Sequence, residues 1–340
     1  MTGYPVNAII PEVKRHLATT GRCVLSAPPG AGKSTVLPLS LLDQPWLNGR
    51  KIVMLEPRRL AAYTVARRLA ENLGEEPGQT VGYRMRLDTC VSPQTRLEVV
   101  TEGILTRMIQ SNPALDEIGC LIFDEFHERS LNADLGLALT LDIRNGLRDD
   151  LRLLIMSATL DVTRITALLD NAPAAVSEGR SFPVQTVYRV NGTPRPLEDI
   201  VADTAVHAAA EQPGSMLIFL PGEAAIRRVE ERLQKLFRAD DIAILPLYGR
   251  LSREAQHLAI APCPPGHRKI VLSTSIAETS LTIDGVRIVI DSGLTREVTF
   301  SPVTGMSRLE TVRISRAAAD QRRGRAGRIE PGVCYRLWTE

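Results

Sequence analysis

The 340-residue sequence is poor in aromatic residues, which make up 4% of it. That scarcity excludes an extended surface of rings on which bases could stack in series. It has five cysteines, Cys23, Cys90, Cys120, Cys263 and Cys334, with no CxxC pair and no histidine at metal-ligand spacing. A zinc site and a disulfide framework are therefore not expected. No apolar run approaches the length of a membrane span, and Pro5, Asn7, Pro11, Glu12 and Lys14 interrupt the N-terminus where a signal peptide needs an apolar core. The expectation is a cytoplasmic chain. Net charge is also nearly absent: the formal balance is +2, so any basic surface must be local and offset by acidic surface elsewhere. Neither repeats nor low-complexity tracts are present. What remains is 44% hydrophobic and 24% charged sequence, enough for about two ordinary globular domains.

Short apolar runs alternate with longer helix-compatible stretches, the pattern of parallel strands covered by helices in an α/β fold. The first half offers strands at Arg22–Ser26, Lys51–Glu56, Leu97–Val100, Gly119–Asp124 and Arg152–Ser157. Leu135, Leu137, Leu139 and Leu141 alternate like a strand, whereas Leu131, Leu135, Ala138 and Leu139 share a helical face; the segment's length favours a helix. A second series follows Gly179–Pro183, with strands at Val184–Val190, Ser215–Leu220, Ile242–Leu247, Lys269–Ser273 and Val286–Asp291, and a closing strand at Val333–Trp338. The domain boundary is placed there, giving 1–179 and 180–340. Asn191–Pro196 reads as a loop inside the second domain.

Ser26 through Thr35 follow an apolar strand, and the sequence predicts that they open a helix. With Pro29, Gly30, Ala31, Gly32, Lys33, Ser34 and Thr35 the segment fits GxxxxGK[ST] except that Ala27 replaces the first glycine. Such a loop surrounds phosphates with backbone N–H groups, its lysine reaches the β and γ phosphates and its serine holds Mg²⁺. Ala27 is tolerable where the backbone needs no positive φ. Asp124-Glu125-Phe126-His127 follow the apolar run Cys120–Phe123, 91 residues beyond Lys33. Two carboxylates at the end of a buried strand fit a metal shell, at Asp124, and a water to be polarised, by Glu125.

Read in order, APPGAGKS (27–34), PRRLAA (57–62), TEG (101–103), DEFH (124–127), SAT (157–159), FLPG (219–222), STSIAETSLTIDG (273–285) and QRRGRAGR (321–328) resemble the DEAH/RHA group of superfamily 2 helicases. DEFH and the run Val81–Arg86 are similar to its bacterial HrpB-type branch. The resemblance covers nearly the whole chain. It implies two tandem RecA-like domains with ATP and Mg²⁺ in the cleft between them and single-stranded RNA across their shared face. Lys33, Ser34, Asp124, Glu125 and His127 would form the first domain's half of the ATP site. Gln321 would help to position water, and Arg325 and Arg328 would stabilise charge on the transferred phosphoryl group. Ser157 and Thr159 would couple nucleotide state to domain movement, although taken without the other motifs they read rather as caps of a helix starting near Asp161. His127 could be a surface histidine, and Arg322, Arg323, Arg325 and Arg328 a basic loop. Gly324, Ala326 and Gly327 would allow close approach to phosphate.

The resemblance assigns Arg58, Arg59, Thr101, Glu102, Gly103, Thr274, Thr279 and Thr282 to the sugar–phosphate backbone, contacts that carry no sequence information. Arg58 and Arg59 follow a strand directly, at the edge where open α/β sheets bind ligands; Thr101 is equally an N-cap. Ile260 stands where many relatives carry a phenylalanine for the adenine, which argues against a strong preference for ATP over other nucleotides. Family members act 3′ to 5′ and continue past Trp338 into winged-helix, helical-bundle and OB-like domains. The expectation is thus a motor core with slow ATPase and poor processive unwinding. Two other functions compete: a translocase or remodeller that does not separate strands, possibly on DNA, and a non-enzymatic ATP-gated RNA clamp, which would not need Glu125, Gln321 and both arginines.

Overall fold

A computed structural model of the chain describes residues 3–28, 30–158, 162–177, 182–189, 195–237, 242–264, 266–278, 283–328 and 330–340. Pro29, Thr159, Thr279 and Thr282 lie outside the described residues, as does most of the 191–196 loop. The chain divides into two compact units, Met1–Arg180 and Ser181–Glu340.

The first unit is built on eight strands: β1 (Arg22–Ser26), β2 (Lys51–Glu56), β3 (Val81–Met85), β4 (Asp88–Cys90), β5 (Leu97–Thr101), β6 (Ile118–Phe123), β7 (Arg152–Ser157) and β8 (Ala174–Val176). Their order is β4-β3-β5-β2-β6-β7-β1-β8, and every pair is parallel except β3 with β4. Both faces are covered, which is why the central strands read as unbroken apolar runs. Cys23, Leu25, Ile52 and Met54 enter one apolar layer, while Val24, Val53 and Leu55 enter the other. The helices are α1 (Ile10–Thr19), α2 (Leu37–Ser40), α3 (Arg59–Leu73), α4 (Glu102–Ser111), α5 (Leu131–Gly146) and α6 (Val162–Leu168).

Sequence and structure differ at several elements. The helix expected after the phosphate loop is short, with residues 33–36 in turns and only Leu37–Ser40 regular. Pro38 has no N–H to give to the carbonyl of Ser34, and the Gly32 carbonyl instead accepts from both Val36 and Leu37. The leucine-rich segment is helical, with Ser130 accepting from the Ala133 N–H as its N-cap, but its buried face is not the leucine face. Leu131 and Leu135 are exposed, and Ala133, Gly136, Leu137 and Thr140 face inward. A Cβ at Gly136 would lie 3.2 Å from Leu105, so the helix seats by its small residues. β3 escaped notice because Gly82 and Arg84 interrupt its apolar pattern. A Cβ at Gly82 would stand 2.5 Å from the Cys90 carbonyl, and Arg84 pairs with Glu98 at 2.7 Å.

The second unit has a six-stranded parallel sheet of β9 (Val184–Tyr188), β10 (Ser215–Phe219), β11 (Ile242–Leu247), β12 (Arg268–Ser273), β13 (Val286–Asp291) and β16 (Gly332–Arg336), ordered β11-β12-β10-β13-β16-β9. The last strand in sequence inserts between β13 and β9 rather than closing an edge. Between β13 and β16 runs an antiparallel hairpin, β14 (Leu294–Ser301) with β15 (Met306–Arg313), which the apolar pattern of the sequence does not predict. Helices α7 (Leu197–Glu211), α8 (Glu223–Leu236), α9 (Arg253–Ile260) and α10 (Arg316–Arg323) complete the unit. Among the described residues no helix is long and apolar enough to cross a membrane.

Candidate functional site

The phosphate loop leaves β1 at Ser26 and turns on two glycines with left-handed backbone, Gly30 at φ +82° and Gly32 at φ +88°. A Cβ on Gly32 would also stand 3.0 Å from the Tyr4 side chain. Ala27 has no positive φ; its N–H donates to the Ser157 carbonyl at 3.0 Å, so alanine fits where the pattern has glycine.

β6 is entirely buried and delivers Asp124 and Glu125 to the same edge of the sheet. The Lys33 ammonium donates to Oε1 of Glu125 at 2.8 Å, and the Ser34 hydroxyl donates to Oδ2 of Asp124. Oδ1 of Asp124 accepts from the Glu125 N–H at 2.8 Å. Glu125 itself is held at φ +49°, a conformation that costs a non-glycine residue of order 1 kcal/mol and that surrounding structure must enforce. Nδ1 of His127 lies 3.4 Å from Oε2 of Glu125 and 3.1 Å from the Ser157 hydroxyl. His127 is therefore a buried member of the site and not a surface histidine, and Ser157 reaches it from the end of β7. Lys33, Glu125, His127 and Ser157 form one polar chain.

Glu56, at the end of β2, is a site residue that no sequence motif marks. It is fully buried, and burial together with the Asp124 and Glu125 carboxylates pushes it well above the usual carboxylate range. The signal was present, since Glu56 ends an apolar strand just as Asp124 follows one. Burial raises Asp124 to about 6 against the pull of Lys33. For Lys33, burial opposes the charge, but Glu125 and Asp124 outweigh it and hold the ammonium above its ordinary value.

Among the described residues no group of three or more His, Cys, Asp or Glu could hold a metal alone. One carboxylate beside one hydroxyl, Asp124 and Ser34, suits Mg²⁺, which keeps water and substrate phosphate in most of its positions.

The TEG and PRR segments share this edge, because Glu56 and Thr101 are register partners on neighbouring strands. Arg58 sits at the N-cap of α3 and pairs with Glu128 at 3.1 Å, whereas Arg59, the first helical residue, is exposed. Thr101 occupies the N-cap position of α4, but its side chain makes no capping bond. Glu102 is buried, accepts the Ser130 hydroxyl and is raised by burial; Gly103 is exposed with open space around it.

In the second unit, Thr274 follows β12 and its hydroxyl accepts from the Ile276 N–H at 3.5 Å. Gln321 is half-buried on α10, beside the fully buried Arg322. Arg322 bonds Asp291 at 2.8 Å and Glu278 at 2.6 Å and lies 4.8 Å from the Phe219 ring centre. It is an internal tie and not part of a basic loop. Arg325 donates to the Glu278 carbonyl, and Arg325 and Arg328 line one small depression with Ala277 and Ile283. The small residues near them answer to packing. Ala326 is fully buried, and a Cβ on Gly327 would stand 2.6 Å from the Phe182 carbonyl.

A phosphate loop, a DExH quartet and a second parallel-sheet unit define a P-loop protein of the helicase class. The chain belongs to the DEAD/DEAH box helicases: residues 8–168 match the DEAD/DEAH box helicase family and residues 197–330 the helicase conserved C-terminal domain. It is 55% identical over 99% of its length to the ATP-dependent RNA helicase HrpB of Escherichia coli (strain K12), covering 41% of that protein. It is 36% identical over 98% of its length to the ATP-dependent RNA helicase HrpA of Borreliella burgdorferi, again covering 41%. Among solved structures, the Escherichia coli DEAH/RHA helicase HrpB matches with a TM-score of 0.94 and 54% identity, over 99% of this chain and 43% of that one. A structure of the E. coli DExH-box NTPase HrpB matches at 0.87, with 54% identity, over 100% and 42%. The chain thus spans about two fifths of the length of these relatives.

Proposed function

We propose that this chain is the cytoplasmic motor core of an RNA helicase that hydrolyses ATP with Mg²⁺ and moves 3′ to 5′ along single-stranded RNA. The observation that carries the reading is the buried chain Lys33–Glu125–His127–Ser157 lying beside the Ser34–Asp124 pair. Lys33 exchanges its carboxylate partner for the β and γ phosphates when nucleotide arrives. Glu125, released from that pair and oriented by His127, accepts a proton from the attacking water. Ser34 and Asp124 would hold a Mg²⁺, which would supply neutralising charge to the phosphates. Ser157, bonded to His127, senses the change and passes it along β7.

The domains 1–179 and 180–340 divide the work, the second supplying Gln321 to position water and Arg325 and Arg328 to stabilise phosphoryl charge. Arg58, Arg59 and residues 101–103 hold the sugar–phosphate backbone, joined by Thr274, Thr279 and Thr282 from the second domain; Thr159 acts with Ser157. Phosphate release with and without single-stranded RNA tests the reading. RNA-stimulated release in the wild type, absent from Glu125→Gln, supports it; ATP binding with no release would leave a clamp. A strand-separation assay on RNA and DNA duplexes distinguishes a helicase from a translocase that leaves duplexes intact.

A further inference from the structure

At the edge of the first sheet opposite the phosphate loop, three arginines converge. Arg22 opens β1, Arg152 opens the neighbouring β7, and Arg144 projects from the last turn of α5. A Cβ added to Gly21 would lie 3.1 Å from a guanidinium nitrogen of Arg144 and 3.1 Å from one of Arg152, so the two cations flank a single glycine.

The surrounding carboxylates do not balance them. Asp170 pairs with Arg22, Asp150 is taken by Arg50 and Arg148, and Asp149 is exposed. Among the described residues neither Arg144 nor Arg152 has a carboxylate partner. Arg144 is only 7% exposed and gives one long hydrogen bond, 3.3 Å, to the Gly21 carbonyl. Its Nε–H and that of Arg152 are both buried without an acceptor. Arg152 otherwise lies 5.9 Å from the Trp46 ring centre. Burial, followed by the charges of Arg22 and Arg152, lowers Arg144 to about 10, far from the usual behaviour of a guanidinium. Buried cations with unfilled donors are costly alone and become favourable around an oxyanion, where each N–H···O⁻ bond is charge-assisted.

We propose that Arg22, Arg144 and Arg152 form a second anion site, separate from the phosphate loop, for a small phosphate-class oxyanion. The burial of Arg144 fixes the size class. Its Nε has no exposed surface, so a group as small as a free phosphate suits it and a polymer backbone lying along the surface does not. Because β1 and β7 carry these arginines at one end and the phosphate loop and Ser157 at the other, occupancy is read as stability of the strands that hold the candidate site.

The test is thermal unfolding of the 340-residue chain in orthophosphate up to about 50 mM, at constant ionic strength and without Mg²⁺. The phosphate loop binds phosphate as well, so wild type is compared with Arg144→Met and Arg152→Gln, neither of which alters that loop. The melting temperature of wild type rises with phosphate. Each variant loses the larger part of the rise, corresponding to an affinity lower by about tenfold or more. In phosphate-free buffer Arg144→Met melts above wild type, because an uncompensated buried cation is gone. Should Arg144→Met fail to fold, Arg152→Gln makes the same comparison. An equal phosphate-dependent rise in wild type and the folded variants overturns the site. So does a difference that a single-stranded RNA oligonucleotide elicits and orthophosphate does not.

Discussion

The Lys33 ammonium and the Glu125 carboxylate meet at 2.8 Å with both side chains almost wholly buried, so in this state the phosphate-binding cation and the candidate base neutralise each other. Substituting either end gives different defects. Lys33→Ala removes a contact to ground-state phosphate and is expected to abolish nucleotide binding. Glu125→Gln keeps binding within a few-fold and lowers turnover by about 10²–10⁴, because the base acts only as the reaction proceeds. Equilibrium binding of a labelled nucleotide and phosphate release separate the two, and normal release by Glu125→Gln would remove Glu125 from its role.

Arg325 and Arg328 are proposed to act on the phosphoryl group from the second unit. Either one changed to alanine is expected to cost about 10³-fold in turnover, the lower end for arginine fingers, while nucleotide-free RNA binding persists. Arg325 also donates to the Glu278 carbonyl, so a melting curve must accompany its kinetics. Turnover within a few-fold of wild type in both variants would refute the assignment.

Asp124 sets a pH dependence whose sign can be worked out. Its folded value, raised by burial to about 6, lies above the ordinary 3.8, so the folded chain binds the extra proton. The stability this confers is complete below about pH 4 and is lost as pH rises through about 6. At pH 8 without Mg²⁺, Asp124→Asn is expected to exceed wild type by on the order of 2–3 kcal/mol, with the difference vanishing toward pH 4. Urea unfolding at several pH values measures this. Nucleotide affinity with Mg²⁺ runs the other way and falls below about pH 6, where Asp124 takes up its proton.

Arg322 ties α10 to the end of β13 through Asp291 and to the segment after β12 through Glu278. Arg322→Leu keeps much of the volume but leaves two buried carboxylates unpaired. A loss of about 3–5 kcal/mol is expected, the range for breaking a buried pair from one side. Denaturant unfolding checks it, and a loss below about 1 kcal/mol would show that water or a rearranged partner replaces the guanidinium.

The strands were legible in sequence wherever both sheet faces are buried, because burial on both sides forces an apolar run: β1, β2, β6, β7, β10 and β12 all read this way. β3 and the β14–β15 hairpin were not. Gly82 answers to a carbonyl from another strand, and the hairpin leaves Val298, Phe300, Val303 and Met306 exposed, so neither segment carries the parallel-strand pattern. The inward face of α5 was misjudged because leucine spacing reports only hydrophobicity, whereas the close approach at Gly136 rewards small side chains.

The sequence by itself determined the phosphate loop, the DExH quartet and the order of motifs, since each is a short string whose chemistry depends on local spacing. Only the tertiary structure decided which charges are partners. Glu56 comes to lie beside Asp124 because β2 and β6 are neighbours in the sheet. His127 meets Ser157, Arg322 meets Asp291, and Arg144 faces Arg152 across Gly21 because of strand order and helix docking. Electrostatic energy depends on distance and burial, and neither quantity is defined along the chain until the sheet is assembled.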